Sequence, residues 1–381
     1  MCLFIDGRME ETKKLLGELV SFKSVAPNEK EIGEYLEKAM RDMGFKTSMQ
    51  KVEENRYNVL AEKGEGDAIL LYGHMDVVEV DEGWKHDPFS LFVEGDIAYG
   101  RGVHDMKGGI VSIMEAVKGI EPRNIKIKVA FGVDEEQISK GSNVMVNSGW
   151  LNDVKFAIVP ESNATRKYDG NPGLPLIVLG RRGRVPIEVK VHGKAAHAAT
   201  PELGRNAIEG MSKLLARLSE IKLAENDKMG KGSICTLSVE GKAESLTVPD
   251  ICTAVIDRHY VPPETKEQVV EQIKELATSI GIDAEVMPVK RETPFLNPYI
   301  TPESNEYVKR LSELVAKDYG RVEYGYGLSV ADENAFGARL GIPVAVIGPK
   351  GGNPHASNEW ASISSIEETG RLFRSFLESF F

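Results

Sequence analysis

Cysteine is scarce in this chain of 381 residues: there are three, Cys2, Cys235 and Cys252. They are widely spaced, odd in number and outside any CxxC arrangement, which excludes a disulfide framework, a thiolate metal site and a redox pair. Long hydrophobic runs are missing too. The longest, Ala68 to Tyr72 and Val344 to Gly348, fall far below the roughly 20 residues needed to cross a bilayer, so no membrane partner is expected. A basic surplus is also absent. Lys and Arg number 47 against 58 Asp and Glu, a net charge of -11, and without a basic footprint the chain has no means of holding a phosphate backbone, so no nucleic-acid partner is expected. The opening MCLFID turns charged at once and lacks the basic start and extended apolar stretch of a secretory signal, giving the expectation of a cytoplasmic protein. Internal repeats and low-complexity segments are not found.

What is present is core-forming material. At 41% hydrophobic and 28% charged, the chain is long enough for two domains. Asn28 and Glu31 form a capping-box pattern ahead of the amphipathic stretch EIGEYLEKAMRDM, and Gly44 follows as a stop. DAILLY from Asp67, IKIKVAFGV from Ile125 and VKFAIV from Val154 read as buried strands, each ending in a polar cluster. The implied fold class is α/β: a mostly parallel sheet flanked by helices, with ligands expected beyond the carboxyl ends of its strands. From Arg181 the texture changes. RVPIEVKVHG, GSICTLSVEG and ICTAVIDRHYV alternate as strands, with helices near 207–218 and 266–277, which indicates an inserted α+β unit. We therefore expect residues 1–180 and 293–381 to form one domain and 181–292 another.

The polar clusters carry His74 and Asp76 (GHMD), Asp105 (GRGVHDMKGG), Glu135 and Glu136 (VDEEQ), Glu161 (VPES) and His355 (GGNPHASNEW). Imidazole together with carboxylate suits zinc, cobalt or manganese, whereas carboxylates alone would suit magnesium or calcium. Two histidines and three carboxylates are enough for two divalent ions sharing a bridge. Asp105, Glu136 and Glu161 bring three negative charges against about four positive, leaving room for a bridging hydroxide. Asp76, two residues past His74, fits a role in holding that ring. Adjacent Glu135 and Glu136 point in different directions, so one can bind metal while the other carries a proton from water to a leaving amine, which is the chemistry of amide hydrolysis. His86, His104 and His192 read as ordinary histidines, and GRGVHDMKGG lacks the spacing of a phosphate loop.

In this order the motifs resemble, over nearly the whole chain, the dinuclear zinc amidohydrolases and metallopeptidases that include acetylornithine deacetylase, succinyl-diaminopimelate desuccinylase, aminoacylase-1 and the glutamate carboxypeptidases. The resemblance implies that His74 and Glu161 bind one ion, Glu136 and His355 the other, with Asp105 between them and Glu135 as general base and acid. The ions would be zinc, with cobalt or manganese as alternatives. The implied reaction is attack of a metal-bridging water on the amide of an N-acyl amino acid; a dipeptidase or carboxypeptidase using the same centre is the alternative. The inserted unit resembles the family's ferredoxin-like lid, and GKAAHAATPELGRNAI places His197 where a lid histidine stabilises the oxyanion. Homodimerisation through the lid follows from the same resemblance, as does hinge motion near Gly180 and Thr293.

Three positions depart from the pattern. His259 stands where many relatives carry an arginine that grips a substrate carboxylate, and Arg258 beside it faces the other way on a strand. Leu246 replaces a common asparagine, and Asn334 an arginine typical of desuccinylases. The hydrolytic residues are intact while the substrate handles differ. A two-metal phosphoesterase would share the bridging carboxylates but has no use for a glutamate that delivers a proton to an amine.

Overall fold

The computed structural model describes every residue except Met1, Asn163, Ala164, Arg166 and Asp169, and of residues 2–8 the backbone alone, so the Cys2 thiol lies outside the described residues. Two compact units are present: one made of Met1–Gly180, Ile300–Gly327 and Ala331–Phe381, the other of Arg181–Tyr299 with Leu328–Val330. Among the described residues no helix is long and apolar enough to cross a membrane.

The first unit is built on a sheet whose centre runs Lys126–Gly132, Ala68–His74, Val154–Val159, Val344–Val346, all parallel. Every residue of Ala68–His74 is buried, because helices cover both faces and leave no solvent side to favour polar residues. Strands Lys46–Glu53 and Arg56–Gly64 extend one edge as an antiparallel hairpin, and Leu176–Arg181 joins antiparallel on the other side. The helices Lys30–Asp42, Lys107–Val117, Glu306–Tyr319 and Ile363–Glu378 supply apolar stripes such as Ile32, Leu36 and Met40, or Phe373, Phe376 and Leu377, to one continuous core.

The helix expected after Asn28 is present, but the capping box is not. The helix begins at Lys30 with Glu29 as its N-cap and no side-chain cap bond, since the Glu29 carboxylate is instead bound by the Arg56 guanidinium through Nε at 2.9 Å. Gly44 does end it, at φ +82°.

The second unit follows the order strand Gly183–His192, helix Ala207–Ala216, strands Ser233–Glu240 and Ile251–Tyr260, helix Lys266–Ser279, strand Ala284–Pro288. Numbering these strands one to four, their spatial order is 2-3-1-4 and all pairs are antiparallel. This is the βαββαβ ferredoxin-like topology. Strict alternation of burial along Gly183–His192 puts Val185, Ile187, Val189 and Val191 under the two helices. Segment 293–299 stays with this unit because Leu296 accepts from Arg184 N at 3.0 Å and Asn297 from the Tyr260 hydroxyl at 2.7 Å.

A candidate metal centre

Parallel strands bring their carboxyl ends to one edge, and the polar clusters meet there. His74 is the last residue of the central strand Ala68–His74, Glu135 and Glu136 follow Lys126–Gly132, and Glu161 follows Val154–Val159. Asp105 reaches the same edge from the loop ahead of helix Lys107–Val117. That helix can approach closely because Gly109 has no side chain: a Cβ there would lie 2.2 Å from the Pro160 carbonyl oxygen. Asp105 does not cap the helix; Met106 is the N-cap residue.

The His74 ring is fully buried. Its Nδ1 lies 3.0 Å from the Asp76 carbonyl oxygen and 3.6 Å from the Asp76 carboxylate, while Nε2 faces Asp105 Oδ1 at 3.1 Å and Glu161 Oε2 at 3.4 Å. On the other side of Asp105, His355 Nε2 lies 3.4 Å from Oδ2 and 2.9 Å from Glu136 Oε2. Asp105 thus touches both histidines, one with each oxygen. Ligand atoms of His74, Asp105 and Glu136 all lie within 4.8 Å of one another.

The electrostatics of the cluster call for a cation. Burial works to lower the His74 pKa, yet Glu161, Asp105 and Asp76 overcome it and hold the ring well above its ordinary value. Hydrogen bonds from Asp105 and Glu136 push His355 up to about 11. Burial would raise Asp105, but the two imidazoles hold it well below the usual carboxylate range. Without a metal the two rings are driven to take protons, which stand in for positive charge the carboxylates require; nitrogen and oxygen donors in this mixture fit zinc, cobalt or manganese.

Glu135 is in a different situation. Burial raises its pKa well above the carboxylate norm; His74 pulls against this, and Glu136, Glu161 and Asp332 add to it. A carboxyl group so placed is suited to carry a proton. The Asp76 carboxylate anchors both neighbours, accepting from Glu135 N at 3.2 Å and Glu136 N at 3.0 Å. From behind, Arg56 pairs with Asp134 at 2.8 Å, and Asp134 in turn accepts from the backbone N–H groups of Ile138 and Lys140. Below lies a buried Tyr72, which donates to Asp332, itself accepting from Ser142 at 2.6 Å. Gly132 is required there, since its Cβ would sit 2.0 Å from the Tyr72 hydroxyl.

Asp134, Asp332, Arg101 and Glu359 were not singled out in the sequence. Glu359 is buried and accepts from the backbone of the Asp105 loop; the one available signal was an acidic residue, four beyond His355, directly ahead of an apolar strand.

In the second unit, His197 is exposed and its Nδ1 accepts from Ala199 N at 3.0 Å, which places the ring proton on Nε2 as an outward donor. Arg258 is enclosed by its own unit, donating to Ser233 O, Glu264 and Gln272 at 3.1 to 3.2 Å, and so is not available to a substrate. His259 is lowered to about 4, by burial first, with Arg184, Arg182 and Arg258 adding to it against Asp257; it is a neutral ring at neutral pH. Leu246 is 78% exposed. Asn334, in the first unit, is buried and accepts from Ala331 N at 3.0 Å.

Comparison with known proteins places this geometry in company. A family model described as peptidase family M20/M25/M40 matches residues 70–379. The chain is similar to a succinyl-diaminopimelate desuccinylase of Wolinella succinogenes, 27% identical over 372 residues, covering 94% of this chain and 97% of that one. Another desuccinylase of that name, from Ehrlichia canis, is 27% identical over 384 residues, 97% and 98% of the two chains. Among solved structures, aminopeptidase PepT from Bacillus cereus superposes with a TM-score of 0.79 at 20% identity over 98% of each chain. The M20 family metallo-carboxypeptidase Sso-CP2 from Sulfolobus solfataricus gives 0.77 at 21%, over 97% of this chain and 99% of that one. At those identities the structural likeness establishes the fold.

Proposed function

Since the chain belongs to peptidase family M20/M25/M40, we propose that it is a metal-dependent hydrolase that cleaves the linear amide bond of an N-acyl amino acid, in the manner of a desuccinylase or deacetylase. The observation that carries this reading is the convergence of two imidazoles and three carboxylates, Asp105 among them, with a further carboxyl group, Glu135, left beside them. His74 and Glu161 would hold one divalent ion and Glu136 and His355 the second, with Asp105 contributing to both; zinc suits these donors. Bound there, the ions supply Lewis acidity toward the amide carbonyl and toward water.

The remaining steps belong to protein groups. Glu135 accepts a proton from the attacking water and delivers it to the amide nitrogen as the C–N bond breaks, so that a carboxylate and an amine leave. His197 offers its Nε2–H to the developing oxyanion. In our reading that histidine serves the centre of a second copy, paired through the lid. The strand Ser233–Glu240 supports this: it lies at the sheet edge, with Leu237 at 54% and Val239 at 49% exposure, and an unpaired edge carrying apolar side chains is a template for a partner strand. A neutral His259 in place of a guanidinium argues for a substrate gripped there by a hydrogen bond and not by an ion pair. A cytoplasmic setting fits the free thiols of Cys235 and Cys252.

The test is a hydrolysis screen of the zinc- and cobalt-loaded protein against N-succinyl and N-acetyl amino acids and dipeptides, reading released primary amine, with Glu135→Gln in parallel. We expect preferential cleavage of one acyl amino acid, and in Glu135→Gln a loss of about a hundredfold or more with metal content near that of the unaltered protein. Turnover confined to dipeptides overturns the substrate class, and retained turnover in the variant overturns the role of Glu135.

A further inference from the structure

Glu359 takes no part in the ligand set above, yet it is 1% exposed and every contact of its carboxylate leads toward that set. Oε1 accepts from the backbone N–H groups of His104 at 3.0 Å and Asp105 at 2.9 Å. Oε2 accepts from Gly102 N at 2.9 Å and from the Arg101 guanidinium at 3.0 Å. Four donors, two per oxygen, therefore bind one carboxylate, and three of them are the main chain of the loop that presents Asp105. Arg101 completes the connection: it is buried, its Nη1 also reaches Ala356 O at 3.3 Å, its Nη2 donates to Glu79 O at 3.1 Å, and its guanidinium lies 5.1 Å from the Trp84 ring centre.

The loop that needs this support is the one bearing His355. Asn353, His355 and Asn358 all have left-handed backbones, at φ +56°, +60° and +57°, and a non-glycine residue holds that conformation only where its surroundings enforce it. Asn358 is bound from the side by Lys85 N and Gly83 O, each at 3.0 Å. His355 itself is half exposed, so no core packing sets its position.

We infer that Glu359 and Arg101 act together as positioning residues, a clasp that fixes the spacing between Asp105 and His355 and thereby sets the affinity for the ion shared by Asp105, Glu136 and His355. This rests on the two-ion reading of the centre. The effect is asymmetric. Two ligands of that ion, Asp105 and His355, sit on loops the clasp joins, whereas of the ligands of the other ion only Asp105 does, His74 and Glu161 being set by strand ends.

Glu359→Gln separates the clasp from simple bulk. Glutamine keeps the shape but has one acceptor oxygen, so its NH2 must face two of the four donors. Equilibrium dialysis against buffered Zn2+, and Co2+ absorption spectra as a second readout, should show two binding steps in the unaltered protein. His355→Ala marks which step belongs to the ion in question. In Glu359→Gln that step should weaken about 10- to 100-fold, the other by no more than about threefold, with the Co2+ spectrum changed and hydrolysis recovering as metal is raised. Glu359→Asp, shorter by one methylene but still charged, should restore part of the affinity. Arg101→Lys, which cannot span Glu359, Ala356 and Glu79 together, should shift the same step and serves if Glu359→Gln does not fold. Equal weakening of both steps, or unchanged steps beside a reduced kcat, overturns the proposal. Dialysis needs no substrate, so a two-step protein inert on every amide refutes the proposed reaction while the clasp is judged on its own. Amide hydrolysis with unaltered steps in the variants refutes the clasp alone.

Discussion

Replacing Asp76 by alanine gives a prediction whose size comes from the hydrogen bonds at stake. The Asp76 carboxylate is fully buried and accepts the N–H groups of Glu135 and Glu136 at 3.2 and 3.0 Å. Removing it strands two backbone donors in a place with little access to water, at about 1–3 kcal/mol each, so about 2–6 kcal/mol in all. Water entering the space left by the carboxylate offsets part of this and favours the lower half of that range. The loss should lower the melting temperature by about 3–7 °C in a scan of the metal-free protein. The loop also carries both glutamates, and a displacement of about 1 Å at reacting groups can cost on the order of a hundredfold in rate. His74 should suffer less, because its Nδ1 bonds to the Asp76 main-chain oxygen at 3.0 Å, which alanine retains. Asp76→Asn keeps one acceptor and turns a donor on the other N–H, so it should fall between. The assays are thermal melts and kcat/KM on whichever substrate the screen selects. An alanine variant melting within about 1 °C of the unaltered protein, with kcat/KM within about threefold, refutes the claim that this carboxylate holds the glutamate loop.

His197→Ala should lower kcat by about a hundredfold or more with metal content unchanged, as loss of an oxyanion donor does; an unchanged kcat removes that role, and recovery on mixing with Glu135→Gln would place the histidine across a dimer. His259 gives a pH signature. Its folded pKa is lowered from 6.5 to about 4, so between those values the unfolded chain binds a proton the folded one refuses, and stability falls as pH drops through that window. The limit is about 3 kcal/mol. Urea denaturation at pH 7.5 and 4.5 should show His259→Asn losing much of that difference, and parallel curves would show that His259 does not titrate as described.

The sequence pointed to this cluster because the residues proposed as ligands ride on the strongest local signals in the chain. His74, Glu136 and Glu161 each follow a run of buried apolar residues, and parallel strands place such termini side by side whatever the rest of the fold does. The second unit was equally legible from period-two alternation along RVPIEVKVHG, which matches the alternating burial of Gly183–His192. The capping box at Asn28 failed because the helix starts one residue too late for it, with Glu29 as N-cap, and the Glu29 side chain is taken by Arg56 from a strand 27 residues away.

The same distinction explains which site residues went unseen. Glu359 meets His104 N across a sequence separation of 255 and Asp105 N across 254. A carboxylate that binds main-chain N–H groups needs no particular residue type opposite it, so nothing in the partner segment betrays the pairing. Metal ligands must be histidine or carboxylate and therefore show in composition and order; the groups that hold them need only reach a backbone, and they emerge when the loops are brought together. Glu359 makes the point most directly: at its position an acid reads as an ordinary loop charge, while in the fold it is buried beneath Arg101 with four donors converging on it. Substitutions at such positions are where activity and metal affinity should prove most sensitive without any change in the ligands themselves.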